Sequence, residues 1–443
     1  MARFLIGTIP AVGHVNPTLP IARKLVERGH EVWWYTGKGF QSQVEATGAR
    51  HVPIRTGLDF SDLSTIPASW LEQRASLKGF AQFKFDLKHG FIDAAVTQVE
   101  DLTQILQHFP ADVLLCDVFF LGTSWIHEKT GLPWAAFGVS PLPFSSCDTA
   151  PFRLGMQPKA TNLGRLRNRC LNWMERQFLM KEVTTYLDQV RGQVGLSPKS
   201  EDFFNAALSP YLYLQPTVPL FEYPRSDLPA QVHFVGSFLP LPPTSFTPPA
   251  WWEDLKSGKP VIHVTQGTVS TQTEDLILPT IQALADEDVL VVATTGGEAQ
   301  ASLKLDPIPA NVRLEPFIPH YHLLPHVDVM VTNGGYNGVQ IALANGVPMV
   351  AAGQTEDKPE VCARVQWAGV GINLKTKTPS PTQLKNAVKK ILASPEYRQK
   401  AQLLKAEIAH YDAPTKAATL LEQLAATKQP VIKSKSFLTC ADL

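Results

Sequence analysis

An imidazole and a carboxylate are the groups best suited to move a proton near neutral pH, and this sequence places one of each at the end of a strand-like run. His14 lies in GTIPAVGHVNP (7–17), between an apolar run and a helix-like one, and Asp117 closes the apolar run ADVLLCD (111–117). Unperturbed imidazole titrates near pH ~6.5, which suits a general base. A carboxylate beside it would orient the ring and stabilise its charged form. Plainer roles stay open: His14 can cap the start of its helix, and Asp117 the start of the next.

A second group of residues suits an anion. In VTNGGYNGVQIALANGVP (331–348) a strand-like run ends at Thr332, Gly334 and Gly335 make a turn, and a helical pattern follows. Free amides and the positive end of a helix favour phosphate. Asn333, Gly334, Gly335, Tyr336, Asn337 and Gly338 are therefore candidate contacts, and the glycine pair lets a diphosphate approach closely. An ordinary glycine-rich turn would read the same way. VTQGT (264–268) repeats the theme with Gly267 and Thr268, whose hydroxyl can donate to a phosphate or cap a helix. In FIPHYHLLPH (317–326), Phe317 and His320 suit a wall for a flat base. The three histidines there lack a carboxylate or cysteine to complete a metal shell. The one D-x-D, Asp286 to Asp288, precedes a strand and lies at the wrong end of the sheet, so no metal site is expected. In EDK (356–358), Asp357 can accept hydrogen bonds from sugar hydroxyls and Lys358 can donate to hydroxyl or phosphate; an acid at a helix start is the plainer reading. Aromatic residues cluster around Phe83, Phe85 and Phe91, and again at Phe144 and Phe152. They fit either an apolar acceptor pocket, with Phe83, Phe85 and Phe144 as contacts, or a packed core.

The elements that must position these groups alternate. Strand-like runs at 3–8, 31–36, 51–54, 111–117 and 133–138 are interleaved with helical patterns, which predicts a parallel α/β sheet. The rhythm breaks over 139–208, where prolines precede a charged helical stretch at 162–193. LPLPPTSFTPPA (239–250) holds five prolines and predicts a stiff linker. Alternation then restarts, with strand-like runs at 261–265, 289–294, 312–317, 327–332, 347–352 and 370–374. The expected organisation is a first α/β domain over 1–238, a linker over 239–250 and a second α/β domain over 251–395. Helices over 396–427 can pack back on the first domain, and a loose tail covers 428–443. In such sheets ligands bind outside the carboxyl ends of the strands, where His14, Asp117, the two glycine turns and Asp357 fall.

Composition narrows the partners. The 443 residues carry 40 Lys+Arg against 40 Asp+Glu, with 44% hydrophobic residues. That balance excludes a chain held to nucleic acid by surplus charge, and the hydrophobic content excludes disorder. Five cysteines show no C-x-x-C pair, which suits a reducing compartment. The longest uncharged run, 329–355, contains Asn333, Asn337, Gln340, Asn345 and Pro348, so no transmembrane segment is expected. The first ten residues lack the regions of a signal peptide. A soluble cytoplasmic protein is the expectation.

The ordered set of GHVNP, Cys116-Asp117, the QGT turn and the F-x-P…GG…GVP…D block over 317–357 resembles the family 1 glycosyltransferases of GT-B fold. That superfamily includes macrolide-type bacterial, sterol and plant UDP-glycosyltransferases, and the similarity spans nearly the whole chain. The resemblance implies two facing Rossmann-like domains with a cleft between them. It implies metal-independent, inverting transfer of a sugar from a nucleoside diphosphate donor, UDP- or dTDP-linked, to a hydroxyl of an apolar small molecule, with no cofactor besides that co-substrate. It assigns the catalytic base to His14, the base's partner to Asp117, and the hold on the nucleotide base to Phe317 and Ile318. The chain departs from the family pattern at four places. The phosphate-binding His is Asn333, the ribose-binding Glu falls on Ile341, the Asp-Gln sugar pair is Asp357-Lys358, and the Gln after the first Pro is His320. Asn333 retains a neutral hydrogen bond for phosphate; Ile341 offers none to a ribose. Two alternatives follow: a non-catalytic helper with an eroded donor site, and a sugar-nucleotide epimerase of the same fold. Retention of both His14 and Asp117 weighs against the first, and a Phe-rich region fit for a separate acceptor weighs against the second.

Overall fold

The computed structural model describes residues 1–240, 245–267, 272–297, 305 and 307–433. Thr268, part of the proline-rich stretch and the last ten residues lie outside them. Seven strands form the first sheet: β1 (Arg3–Gly7), β2 (Glu31–Thr36), β3 (Arg50–Pro53), β4 (Val113–Asp117), β5 (Trp134–Phe137), β6 (Leu212–Gln215) and β7 (Val232–Phe234). Their order is β3-β2-β1-β4-β5-β6-β7, and every pair is parallel. Six more form the second: β8 (Val261–Thr265), β9 (Leu290–Thr294), β10 (Val312–Glu315), β11 (Val329–Thr332), β12 (Met349–Ala351) and β13 (Gly371–Asn373), in the order β10-β9-β8-β11-β12-β13, again parallel. The two-sheet α/β architecture expected from the alternation is the one observed. β6 and β7 went unread because four and three residues, flanked by prolines, show no usable periodicity.

Both sheets reverse their winding at one point, between β1 and β4 and between β8 and β11. Loops leave such a switch point in opposite directions and open a crevice at the strand ends. The register aligns Gly7 of β1 with Cys116 of β4, so the loop carrying His14 emerges beside Asp117. In the second sheet Thr332 of β11 aligns with Thr265 of β8, which brings the Asn333 turn beside Gln266.

Each sheet is buried on both faces, which explains the unbroken apolar runs of β4, β8 and β9. The helices expected over 396–427 are Pro395–Ala409 and Ala413–Thr427. Asp412 ends the first run by capping the second: its side chain accepts from the Thr415 N–H, and a proline occupies the first turn. The first helix packs on the second sheet's core through Ala401, Leu404 and Ile408. The second crosses to the first sheet, where Ala417, Leu421 and Leu424 meet Ile21 and Leu25. Buried polar links also join the halves. Arg364 pairs with Glu222 of the first half and with Glu360 at 2.9 Å. Gln215 donates to the Tyr336 hydroxyl at 2.8 Å, and the Ser237 hydroxyl donates to Gln340 at 2.7 Å.

Candidate active site

His14 sits in a one-turn helix, Val12–Val15, whose N-cap is Ala11; no side chain caps it. Its Nδ1 stands 3.1 Å from Asp117 Oδ1. This is a close approach without hydrogen-bond alignment; catalytic hydrogen bonds commonly come into line only in the reactive complex. Asp117 is buried, and both of its oxygens are held by backbone. The Ile9 N–H donates to Oδ2 at 2.7 Å and the Phe119 N–H to Oδ1 at 2.9 Å. The next helix begins only at Gly122 and carries no side-chain cap. Neither residue is therefore a helix cap. A buried carboxylate anchored by two amides keeps its position, with one oxygen facing the imidazole.

The opposite side of the crevice is the start of helix Tyr336–Ala344. Asn337 on its first turn donates to the Gly13 carbonyl at 3.1 Å, so the anion-type turn and the His14 loop touch. Gly334 has φ +82, and a Cβ there would lie 2.5 Å from Cys362 Sγ; only glycine fits both limits. Gly335 is the N-cap of the helix, and its N–H is turned toward Asn333 Oδ1 at 3.3 Å. The Asn333 amide also donates to the Gln266 carbonyl, tying together the two turns at the switch point. Tyr336 points away from the crevice into the junction between halves. Gly338 has no close neighbour that demands glycine. Gly267 lies at an exposed bend.

Asp357 is half-buried, and burial raises its pKa to about 6, aided by Glu356 and opposed by Lys358 and His14. Lys358 is spoken for: its ammonium pairs with Glu356 and donates to the Thr355 hydroxyl at 3.2 Å. Phe317 is 71% exposed while Ile318 is buried beneath it. His320 packs edge-on to His263 at 5.5 Å, and burial lowers its pKa to about 4, so the ring is neutral. Ile341 packs against the core.

From His14 a series of phenylalanine rings leads into the first half. Phe119 lies 5.8 Å from the imidazole, Phe91 is 5.1 Å from Phe119, and Phe203 is 6.2 Å from it. Phe83 and Phe152 reach the series through Phe204. Of the three expected acceptor contacts, Phe83 joins this wall. Phe85 is buried between Trp70 and His89, and Phe144 is buried edge-on to Tyr213. Among the described residues no ring contact links these two to the Phe119 series. Two participants escaped the sequence. Phe119 follows the strand end that carries Asp117, which was its only signal. Arg153 lays its guanidinium 3.5 Å from the centre of the Phe83 ring and donates to the Glu356 carbonyl at 3.1 Å.

Comparison with known proteins decides the family. A 4'-demethylrebeccamycin synthase from Lentzea aerocolonigenes is 50% identical over 424 residues, covering 96% of this chain and 99% of that one. UDP-glycosyltransferase 2 from Phaeomoniella chlamydospora is 34% identical, covering 95% of each chain. The chain belongs to the family 1 glycosyltransferases of GT-B fold. Within this glycosyltransferase, residues 278–424 match the model described as erythromycin biosynthesis protein CIII-like, C-terminal domain. Among solved structures, the glycotransferase of kitacinnamycin is 22% identical with a TM-score of 0.73, covering 95% of this chain and 98% of that one, a likeness of fold. The enzyme moves a sugar from a nucleotide-linked donor to a small-molecule acceptor. Among the described residues no helix is long and apolar enough to cross a membrane.

Proposed function

We propose that this glycosyltransferase is an inverting, metal-independent enzyme acting on a hydroxyl of an apolar natural-product acceptor, with a UDP- or dTDP-linked sugar as donor. The observation that carries this reading is the 3.1 Å approach of His14 Nδ1 to the amide-anchored Asp117, facing a helix start across the crevice. Because Nδ1 faces the carboxylate, Nε2 is the atom left to take the acceptor proton. The freed oxygen attacks the anomeric carbon from the side opposite the diphosphate. The new C–O bond forms as the bond to the diphosphate breaks, through an oxocarbenium-like state, and the configuration inverts. Asp117 stabilises the imidazolium that results. The leaving diphosphate is met by helix-start amides around Gly335 and by the remaining amide hydrogen of Asn333. Such pre-aimed dipoles are commonly a large share of catalysis. Asp357 holds sugar hydroxyls.

The relative named for making 4'-demethylrebeccamycin supports a natural-product acceptor, and the Phe83–Phe119 wall supports an apolar one. The four described cysteines are free thiols, which suits cytoplasmic placement. The test is to incubate the enzyme with α-linked UDP- and dTDP-sugars and a pooled aglycone set, with and without EDTA. Equal transfer in EDTA with β-configured product is expected. An α-linked product, or activity lost in EDTA and restored by magnesium, would contradict the proposal.

A further inference from the structure

The helix Asn162–Met174 and the turn after it are built inside out. The face toward the protein is polar: Asn168 is 0% exposed and donates to the Cys147 carbonyl at 3.0 Å. Asn172 donates to the Thr149 carbonyl at 3.2 Å, and Arg165 to Asp148 at 2.7 Å. The face toward solvent is apolar. Leu163 is 77% exposed, Leu166 63%, Trp173 56% and Phe178 70%. Their spacing of three and seven residues keeps Leu163, Leu166 and Trp173 on one stripe. Trp173 and Phe178 meet edge-on at 5.7 Å and leave their remaining surface outward. A contiguous exposed apolar stripe marks an interaction surface.

The charge around the stripe says what covers it. Residues 159–181 hold six cations (Lys159, Arg165, Arg167, Arg169, Arg176 and Lys181) and one acid, Glu175, in a chain whose net charge is zero. Arg167 and Arg169 fall on opposite flanks of the stripe; Arg167 turns inward to donate to Asn168 Oδ1 at 2.7 Å, while Arg169 and Lys181 are exposed. Glu175 adds little negative charge, because burial and Asp202 raise its pKa to about 8. The next acid, Glu182, is already shared by Lys84 and Lys88. A second copy of this chain would bring the same cations against each other across a two-fold axis. An apolar face with Trp, Phe and Leu, flanked by arginines, is the composition of a helix that lies in an anionic bilayer interface.

We propose that this helix docks the glycosyltransferase on an anionic membrane surface, with Trp173, Phe178, Leu163 and Leu166 in the headgroup–acyl boundary and Arg169 and Lys181 on acidic headgroups. The test is flotation of the full-length protein with vesicles of phosphatidylcholine, alone or mixed with phosphatidylglycerol, at low and high salt. Wild type floats with the mixed vesicles, floats less in high salt, and stays in solution with phosphatidylcholine alone. Trp173→Glu/Phe178→Glu and Arg169→Glu/Lys181→Glu each lower the bound-to-free ratio at least about tenfold. Both double variants change exposed side chains, so they keep the wild-type melting temperature and turnover of a water-soluble acceptor. Failure of wild type to float with mixed vesicles overturns the proposal, as does equal flotation of the variants. So does a wild-type dimer, seen by light scattering, that Trp173→Glu/Phe178→Glu dissolves in place of any vesicle binding; that result assigns the stripe to self-association.

Discussion

The two sides of the crevice are held in place by different means. On the His14 side, Asp117 is fixed by two backbone amides and cannot exchange partners without leaving buried N–H groups unpaired. On the opposite side the loop at Glu356–Lys358 is held by its own side chains. Lys358 pairs with Glu356, and the ionisation of Asp357 is suppressed by burial. The first arrangement is rigid, as the proposed proton transfer requires. The second is a set of charges able to redistribute when a charged substrate enters. On the proposed mechanism, rigidity falls on the side that moves a proton and adjustability on the side that receives a donor's charge.

Asp117→Ala attacks the rigid side and has the largest expected effect. It removes the charge facing the imidazole and strands the Ile9 and Phe119 amides. Turnover should fall by about 10³–10⁴-fold, and each unpaired buried N–H should cost about 1–3 kcal/mol. Kinetics on the folded fraction and urea denaturation measure the two separately. Unaltered turnover would make Asp117 a structural residue alone.

Gly334→Ala probes the backbone beneath the adjustable side. Positive φ and the Cys362 sulfur, 2.5 Å from the added Cβ, should together cost about 2–4 kcal/mol. Donor affinity should weaken as the turn shifts, read by calorimetry with UDP and dTDP. A variant as stable as wild type would mean that the turn relaxes freely.

Asp357→Asn sharpens the contrast through pH. The carboxyl pKa rises from 3.8 to about 6 on folding, so the native state keeps a proton that the unfolded chain releases. Ionised Asp357 therefore lowers stability as pH rises between about 4 and 6. The Asn variant escapes that cost, so its melting temperature relative to wild type should climb over this window and level off above it. Its turnover should nonetheless fall at neutral pH, where a carboxylate is needed for sugar hydroxyls. A melting difference that is flat from pH 4 to 7 would refute the suppressed ionisation.

The fold was legible wherever strands were long and buried on both faces. β1, β2, β8 and β9 follow from their apolar runs, and the position of His14 and Asp117 at adjoining strand ends follows from the winding rule. The break at Asp412 is written as an Asp-Ala-Pro helix start but was lost inside a longer helical pattern. Phe119 and Arg153 were not legible, because each reaches the site through a loop. Arg153 and Glu356, joined across the crevice, both adopt positive φ, at 78° and 48°. That conformation is uncommon for residues other than glycine, and no local pattern announces it.

His14→Ala tests the central claim most directly. Turnover, donor affinity by calorimetry, and melting temperature should be measured on one preparation. As the general base, His14 accounts for a loss of about 10²–10⁴-fold in turnover, with donor affinity and melting temperature close to wild type, because the imidazole neither caps its helix nor belongs to the turn at Gly334. A variant that melts early and still transfers sugar at near wild-type rate would contradict the account.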